Sequence, residues 1–384
     1  MSNQPAVVGP DGVTRPYIGG QALIEGVMMR SPHAFSAVVR RRDGSLVVRE
    51  RPMTDVRRGK AAWPIVRGVI ALVEALKLGS QALRFSAEIF EQDLEEQEQE
   101  EQAKKSKAAA GTTLLSALSL PIVQLMTAEP ELPGAKPASS SKGMSLMGVF
   151  SIVFAISLFV ALPQAFAEGT SKLFGLDIDL RSPVFQLLTA AAKLTILVGY
   201  MLLIRRLPEI YRVFQYHGAE HKSIYTYESG AELTVDNARS HTTLHPRCGT
   251  TFIVMVALVS ILIFSGIGPF LPQLGLGKLV DHVLFFLMKL PFLPLIAAIT
   301  FELQRVLAKH CSTGPFSLLL WPGFLVQKIT TIEPDDRQLE VALSALLVTL
   351  RVEKGKASVS SEDAAFPSYA ALAEPVGSFE GAPA

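Results

Sequence analysis

Residues 248–277 read CGTTFIVMVALVSILIFSGIGPFLPQLGLG and carry no charge. A helix needs about 20 apolar residues to cross the roughly 30 Å hydrocarbon core of a bilayer, and this stretch supplies them. Three further blocks share its character. Gly143–Ala167 is uncharged, Ser182–Ile204 is interrupted only by Lys193, and His282–Phe301 is apolar except for Lys289. The 384 residues are 49% hydrophobic and 18% charged, with mean hydropathy +0.33. Soluble domains carry about 25% charged residues, so composition points to a membrane protein. The expected fold is predominantly α-helical and polytopic, with about four transmembrane helices and a small N-terminal β-hairpin/α unit.

Ala108–Ala128 is also uncharged, but its Ser, Thr, Gly and Gln contribute nothing favourable to insertion, and it is not counted as a span. Orientation follows from Lys and Arg near the span ends. The segment between the second and third spans holds Arg205, Arg206, Arg212, Lys222, Arg239 and Arg247; the next loop holds only Lys278. The basic loop is expected in the cytoplasm, and four spans then put both termini there. Residues 1–20 lack the apolar core and cleavage pattern of a secretory signal. A net charge of +1, without a basic stripe interleaved with aromatics, argues against nucleic acid as partner.

The chain divides by pattern into five parts. Residues 1–90 read as a cytoplasmic β/α unit. Within it, AFSAVVRRRDGSLVVRE sets two extended runs around Asp43-Gly44, a strong hairpin signal. From Pro64 the polar residues Arg67, Glu74, Lys77, Gln81, Arg84 and Glu88 form one stripe of an amphipathic helix, which either lies in the membrane interface or covers the hairpin. Residues 91–142 read as an acidic and flexible linker, and 143–301 as the transmembrane region with its polar loop 205–247. Residues 302–353 read as cytoplasmic helices and 354–384 as a disordered tail.

Chemistry concentrates in FQYHGAEHKSIYTYE, residues 214–228. Pro208 suits the first turn of a helix and Gly230 its end. On that helix His217 and His221 share a face one turn apart, as two ligands of a single divalent ion would. Glu220 adjoins them, placed as a general base rather than a ligand, in the His-x-x-Glu-His order of inverted zinc hydrolases. Two histidines alone are incomplete, because catalytic zinc usually takes three protein ligands. The same loop offers His241, His245 and Cys248, with Glu228, Glu302 and Glu25 as carboxylate candidates. If His217, His221, His245 and Cys248 all bind, the site is closed and structural; if one stays away, it is open to catalysis. Plainer readings accompany the rest. Glu25 suits a salt bridge to Arg30, Lys193 and Lys289 suit snorkelling, and Trp63 and Trp321 suit interfacial anchors.

The phrases YIGGQALIEGVMMRSP, RGVIALVEALKLG, YHGAEHKSIYTYE, LHPRCGT and TTIEPDDRQLEVAL occur in that order. In them the chain resembles the YqhQ-like family of bacterial membrane proteins, described as predicted metal-dependent enzymes. The resemblance runs from Tyr17 to Arg351 and omits the acidic linker and the tail. It implies a bacterial inner-membrane protein with a metal site at His217, Glu220, His221, His245 and Cys248, and it makes 91–141 look like an insertion. The leading expectation is a metal-dependent hydrolase, with zinc as the ion, acting on a membrane-proximal peptide or lipid-linked ester. The alternative is a non-catalytic scaffold or assembly factor whose metal staples the loop. A transporter built on Lys193, Lys289 and Glu302 ranks last, because no inverted repeat is visible.

Overall fold

The computed structural model describes residues 6–54, 63, 66–105, 154, 157–175, 179, 182–270, 272, 277–310, 315–355 and 363–376. A short ribbon pairs β1 (Ala6–Val8) with β2 (Thr14–Pro16). A five-stranded antiparallel sheet follows, built from β3 (Gly19–Leu23), β4 (Gly26–Arg30), β5 (Ala34–Arg40), β6 (Leu46–Pro52) and, from the far end of the chain, β7 (Ala364–Phe366). The expected hairpin is β5–β6, closing at Arg40↔Leu46. Gly44 takes φ +91° in its turn, and the Asp43 carboxylate accepts from the Ser45 amide at 2.8 Å.

The helices are α1 (Val66–Lys105), α2 (Leu162–Leu173), α3 (Pro183–Ile204), α4 (Pro208–Ser229), α5 (Val235–Ser240) and α6 (Gly249–Ile267). After them come α7 (Lys278–Lys289), α8 (Leu293–His310), α9 (Trp321–Thr330), α10 (Asp336–Glu353) and α11 (Tyr369–Val376). The sheet is hydrophobic on both faces because both are covered. On one, Ile18, Val27, Met29, Val38, Leu46 and Val48 pack against α4 and α10. On the other, Leu23, Met28, Phe35, Ala37, Val39 and Val47 meet Leu78, Ala82 and Phe85 of α1. The amphipathic helix therefore covers the sheet, and its first turns pack on α8, where Gly68 approaches Ala298. α10 is the central helix: Gln338 to Leu350 is almost wholly buried, and Asp335 starts it with a capping box to Gln338.

Among the described residues, three stretches are long and apolar enough to cross a membrane: Pro183–Ile204, Gly249–Ile267 and Val283–Ala308. They match the second, third and fourth expected spans, and the last passes through a 3-10 turn at Leu290–Phe292. Leu187, Leu203, Leu262 and Val306 on these helices are exposed. The first expected span, 143–167, lies outside the described residues up to 153, and so does all of 108–128.

Two segments depart from expectation. The acidic run from Glu91 is not linker but the continuation of α1 as far as Lys105, pinned where Arg41 binds Asp93 at 2.6 Å and Glu96 at 2.8 Å. The tail from 354 is not wholly disordered. β7 extends the sheet beside β6, and Leu372 of α11 is fully buried in the core under α10. Its Ala-, Ser-, Gly- and Pro-rich composition concealed a strand, Ala364–Phe366, whose partner is some 300 residues away.

Candidate metal centre

Helix α4 begins at Pro208 and ends at Gly230, whose φ of 77° is the left-handed cap that a glycine provides without strain. This frame places His217 one turn before Glu220 and His221, over the loop that carries Cys248. One ligand atom from each of His217, His221 and Cys248 lies within 4.8 Å of the others, a group that could hold a metal ion. Backbone carbonyls fix the imidazoles. His217 Nδ1 lies 2.8 Å from the Thr330 oxygen, and His221 Nδ1 donates to the Thr243 oxygen. A carbonyl can only accept, so both Nδ1 atoms carry a proton, and Nε2 is the nitrogen of each ring that an ion would take in place of a proton. His217 Nε2 is 3.1 Å from Cys248 Sγ.

Cys248 is the N-cap of α6, and its sulfur accepts from the Thr250 amide at 3.4 Å. Burial opposes the thiolate, but the charges of His217 and His221 outweigh it and hold the thiol well below its ordinary range. Burial likewise opposes the His217 cation, yet the thiolate and Glu220 raise it to about 9. Glu220 is buried, and that burial raises its carboxyl; the nearby histidines oppose the rise. A close backbone forms its ceiling. A Cβ on Gly20 of β3 would lie 2.7 Å from the Glu220 Cγ and Oε1, so only glycine lets the strand pass over the carboxylate. Gly218 has the same role toward the chain entering α10, where a Cβ would overlap the Ile332 carbonyl.

The other candidates lie elsewhere. His245 is outside the three-donor group. It is buried against Glu228, whose Oε2 is 3.6 Å from His245 Nε2, while Arg247 binds the same carboxylate. Burial lowers His245 to about 4; Glu228 resists its own burial through His245 and Arg247 and stays ionised. Glu302 forms a two-pronged ion pair with Arg67, at 2.6 and 2.5 Å, which answers why a charge ends that span. Glu25, at φ 52° in the β3–β4 turn, is gripped by Arg212 and by the Tyr216 hydroxyl at 3.2 Å; Arg30 pairs instead with Glu74. His241 stacks on Tyr225. Lys289 donates to Gln186 at 2.8 Å and sits over the Phe285 ring, so it faces neighbouring helices rather than snorkelling.

Two glutamines matter that the sequence reading passed over. Gln327, fully buried on α9, accepts from the His245 amide at 2.8 Å and donates to the His245 carbonyl at 2.7 Å and Thr251 Oγ1 at 2.5 Å. Gln304 on α8 donates to the Cys248 carbonyl at 3.1 Å. Each is the only amide side chain of its helix, the one sequence signal that could have marked it.

Three helices apolar enough to span a membrane, a mixed sheet-and-helix unit and a His–His–Cys donor group define a membrane-associated protein with a candidate metal centre. The chain belongs to the family described as "Protein of unknown function (DUF1385)", whose profile matches residues 63–352. It is also similar to the "Uncharacterized protein YqhQ" of Bacillus subtilis (strain 168), at 32% identity over 344 residues, which cover 88% of this chain and 93% of the relative. No solved structure matches it.

Proposed function

We propose that this is a polytopic protein of the bacterial inner membrane and a metal-dependent hydrolase whose site faces the cytoplasm. The observation that carries the reading is the three-donor group itself. Two imidazoles and a thiolate suit zinc, and three protein ligands are the count of catalytic rather than closed structural sites. His245, the fourth donor that would close the centre, lies outside that group, with its Nε2 3.6 Å from Glu228. When bound, the ion supplies Lewis-acid polarisation of an acyl oxygen. Glu220 handles the proton. Water adds across the scissile bond, its hydroxyl going to the acyl carbon, and Glu220 carries the released proton to the leaving nitrogen or oxygen. A carboxyl raised by burial suits both halves of that transfer.

Parity supports the topology. The β3–β6 sheet, α4 and α10 share one core and must therefore lie on one side of the bilayer. Between α4 and α10 lie two candidate spans, an even number. Between the sheet and α4 lies α3, so one further crossing is required, and the uncharged 143–167 block is our assignment for it. A crossing at 108–128 as well would separate the sheet from α4. The Lys and Arg bias of 205–247 places this shared side in the cytoplasm.

Glu220→Gln tests the catalytic role. It should retain the metal and fail to restore function in a deletion strain; full complementation would end the hydrolase reading. A reporter fused after Ser240 should read cytoplasmic, and an external reading would overturn the orientation.

A further inference from the structure

β3 lies at one end of the sheet, and among the described residues no strand pairs its outer side. The β3–β4 turn is the two residues Ile24 and Glu25, with Leu23 opposite Gly26. In a two-residue hairpin the closing pair exchanges both of its hydrogen bonds, and alternate pairs follow suit. Gln21 and Gly19 therefore bond inward to Met28 and Arg30. Gly20 and Ala22 turn their N–H and C=O groups outward. These two residues also face α4: Gly20 covers the Glu220 carboxylate, and Ala22 packs on the core that α4 shares. Both are only partly buried. Four main-chain groups, unpaired among the described residues, thus line an edge that runs past Glu220, and Gly19-Gly20 put no side chain in the way.

We propose that this outer edge of β3 is the substrate-docking strand of the site, and that the substrate is an extended, unfolded polypeptide segment. The inference rests on the hydrolase reading above and narrows its substrate class. Unpaired N–H and C=O groups at strand spacing recognise another peptide backbone by adding it to the sheet. A lipid-linked ester has no such alternation of donors and acceptors. The edge is continuous with the candidate centre, so a segment paired to Gly20 brings its own backbone carbonyl beside Glu220. The approach to the edge is anchored: Tyr17 lies beneath the Arg247 guanidinium, and the Tyr227 hydroxyl donates to the Pro16 carbonyl.

The test is amide hydrogen exchange on full-length Glu220→Gln protein in nanodiscs, with and without reduced, carboxymethylated α-lactalbumin as an unfolded probe. Gly20 and Ala22 should exchange fast in the free protein and at least about tenfold more slowly with the probe. Ala22→Pro deletes one outward N–H and leaves the β3–β4 ladder intact, so it should weaken probe binding by about tenfold or more, while Ala22→Val should not. Slow exchange at both amides in the free protein would show that a segment of this chain already covers the edge, and would overturn the proposal. So would an absence of slowing with the probe, or equal binding by folded Ala22→Pro. Should Ala22→Pro not fold, exchange in Glu220→Gln decides alone. Metal-loaded wild type that binds the probe through this edge without cleaving it would refute the hydrolase reading only. Cleavage with KM unchanged in Ala22→Pro would refute the docking edge only.

Discussion

Gln327→Met should loosen the candidate centre without touching a donor. Methionine nearly preserves the volume, so α9 keeps its packing on α6, where Gly323 meets Thr251 so closely that a Cβ would overlap it. What disappears is three hydrogen bonds. The Thr251 hydroxyl can rotate, but the amide and carbonyl of His245 cannot, and His245 is buried. A buried backbone group left unpaired costs about 1–3 kcal/mol, so the pair costs roughly 2–6 kcal/mol. At about 2–4 °C per kcal/mol, the unfolding midpoint should fall by about 4–24 °C. The loop from His245 to Cys248 must then be ordered when an ion binds. Zinc affinity, read by competition with a chromophoric chelator, should therefore weaken at least about tenfold. If Gln327→Met binds zinc within about threefold of wild type and unfolds within about 2 °C of it, the loop is not held as described and the reasoning fails.

Gly20→Ala forces the Glu220 carboxylate or β3 to move, so it should cost about 1–3 kcal/mol of stability and abolish function as Glu220→Gln does; complementation by Gly20→Ala would show that the contact is loose. His245 is buried neutral, with its pKa lowered from 6.5 to about 4. The unfolded chain thus binds the extra proton first, and stability should drop by up to about 3 kcal/mol as pH falls from 6.5 to 4. His245→Gln should flatten that slope in unfolding measurements across the window, and an unchanged slope would assign it to other groups. Leu372→Ala should destabilise by about 2–5 kcal/mol in denaturant unfolding, whereas a neutral result would mean that α11 does not dock.

The local signals were legible where chemistry and backbone coincide. Pro208 and Gly230 bound α4 because one fits a helix start and the other a left-handed cap, and Asp43-Gly44 marks a hairpin for the same kind of reason. The apolar blocks give three of the four spans directly. Pairings set by tertiary structure were not legible. Whether Glu302 meets a metal or Arg67 depends on how α1 lies on α8, and whether His245 joins His217 or Glu228 depends on how Gln327 holds the loop. β7 is three residues of Ala and Phe that become a strand only because β6 offers an edge. Charge patterning misled in one place: the run after Glu91 is polar because it is a solvated helix, and its partners Arg41 and Arg42 sit in the β5–β6 turn.

The most direct measurement is metal content per chain across a set of purified variants. The account predicts about one zinc ion in wild type, in Glu220→Gln and in His245→Ala, and loss of that ion in His217→Ala, His221→Ala and Cys248→Ala. Wild type without stoichiometric metal, or loss from His245→Ala as complete as from Cys248→Ala, would contradict it.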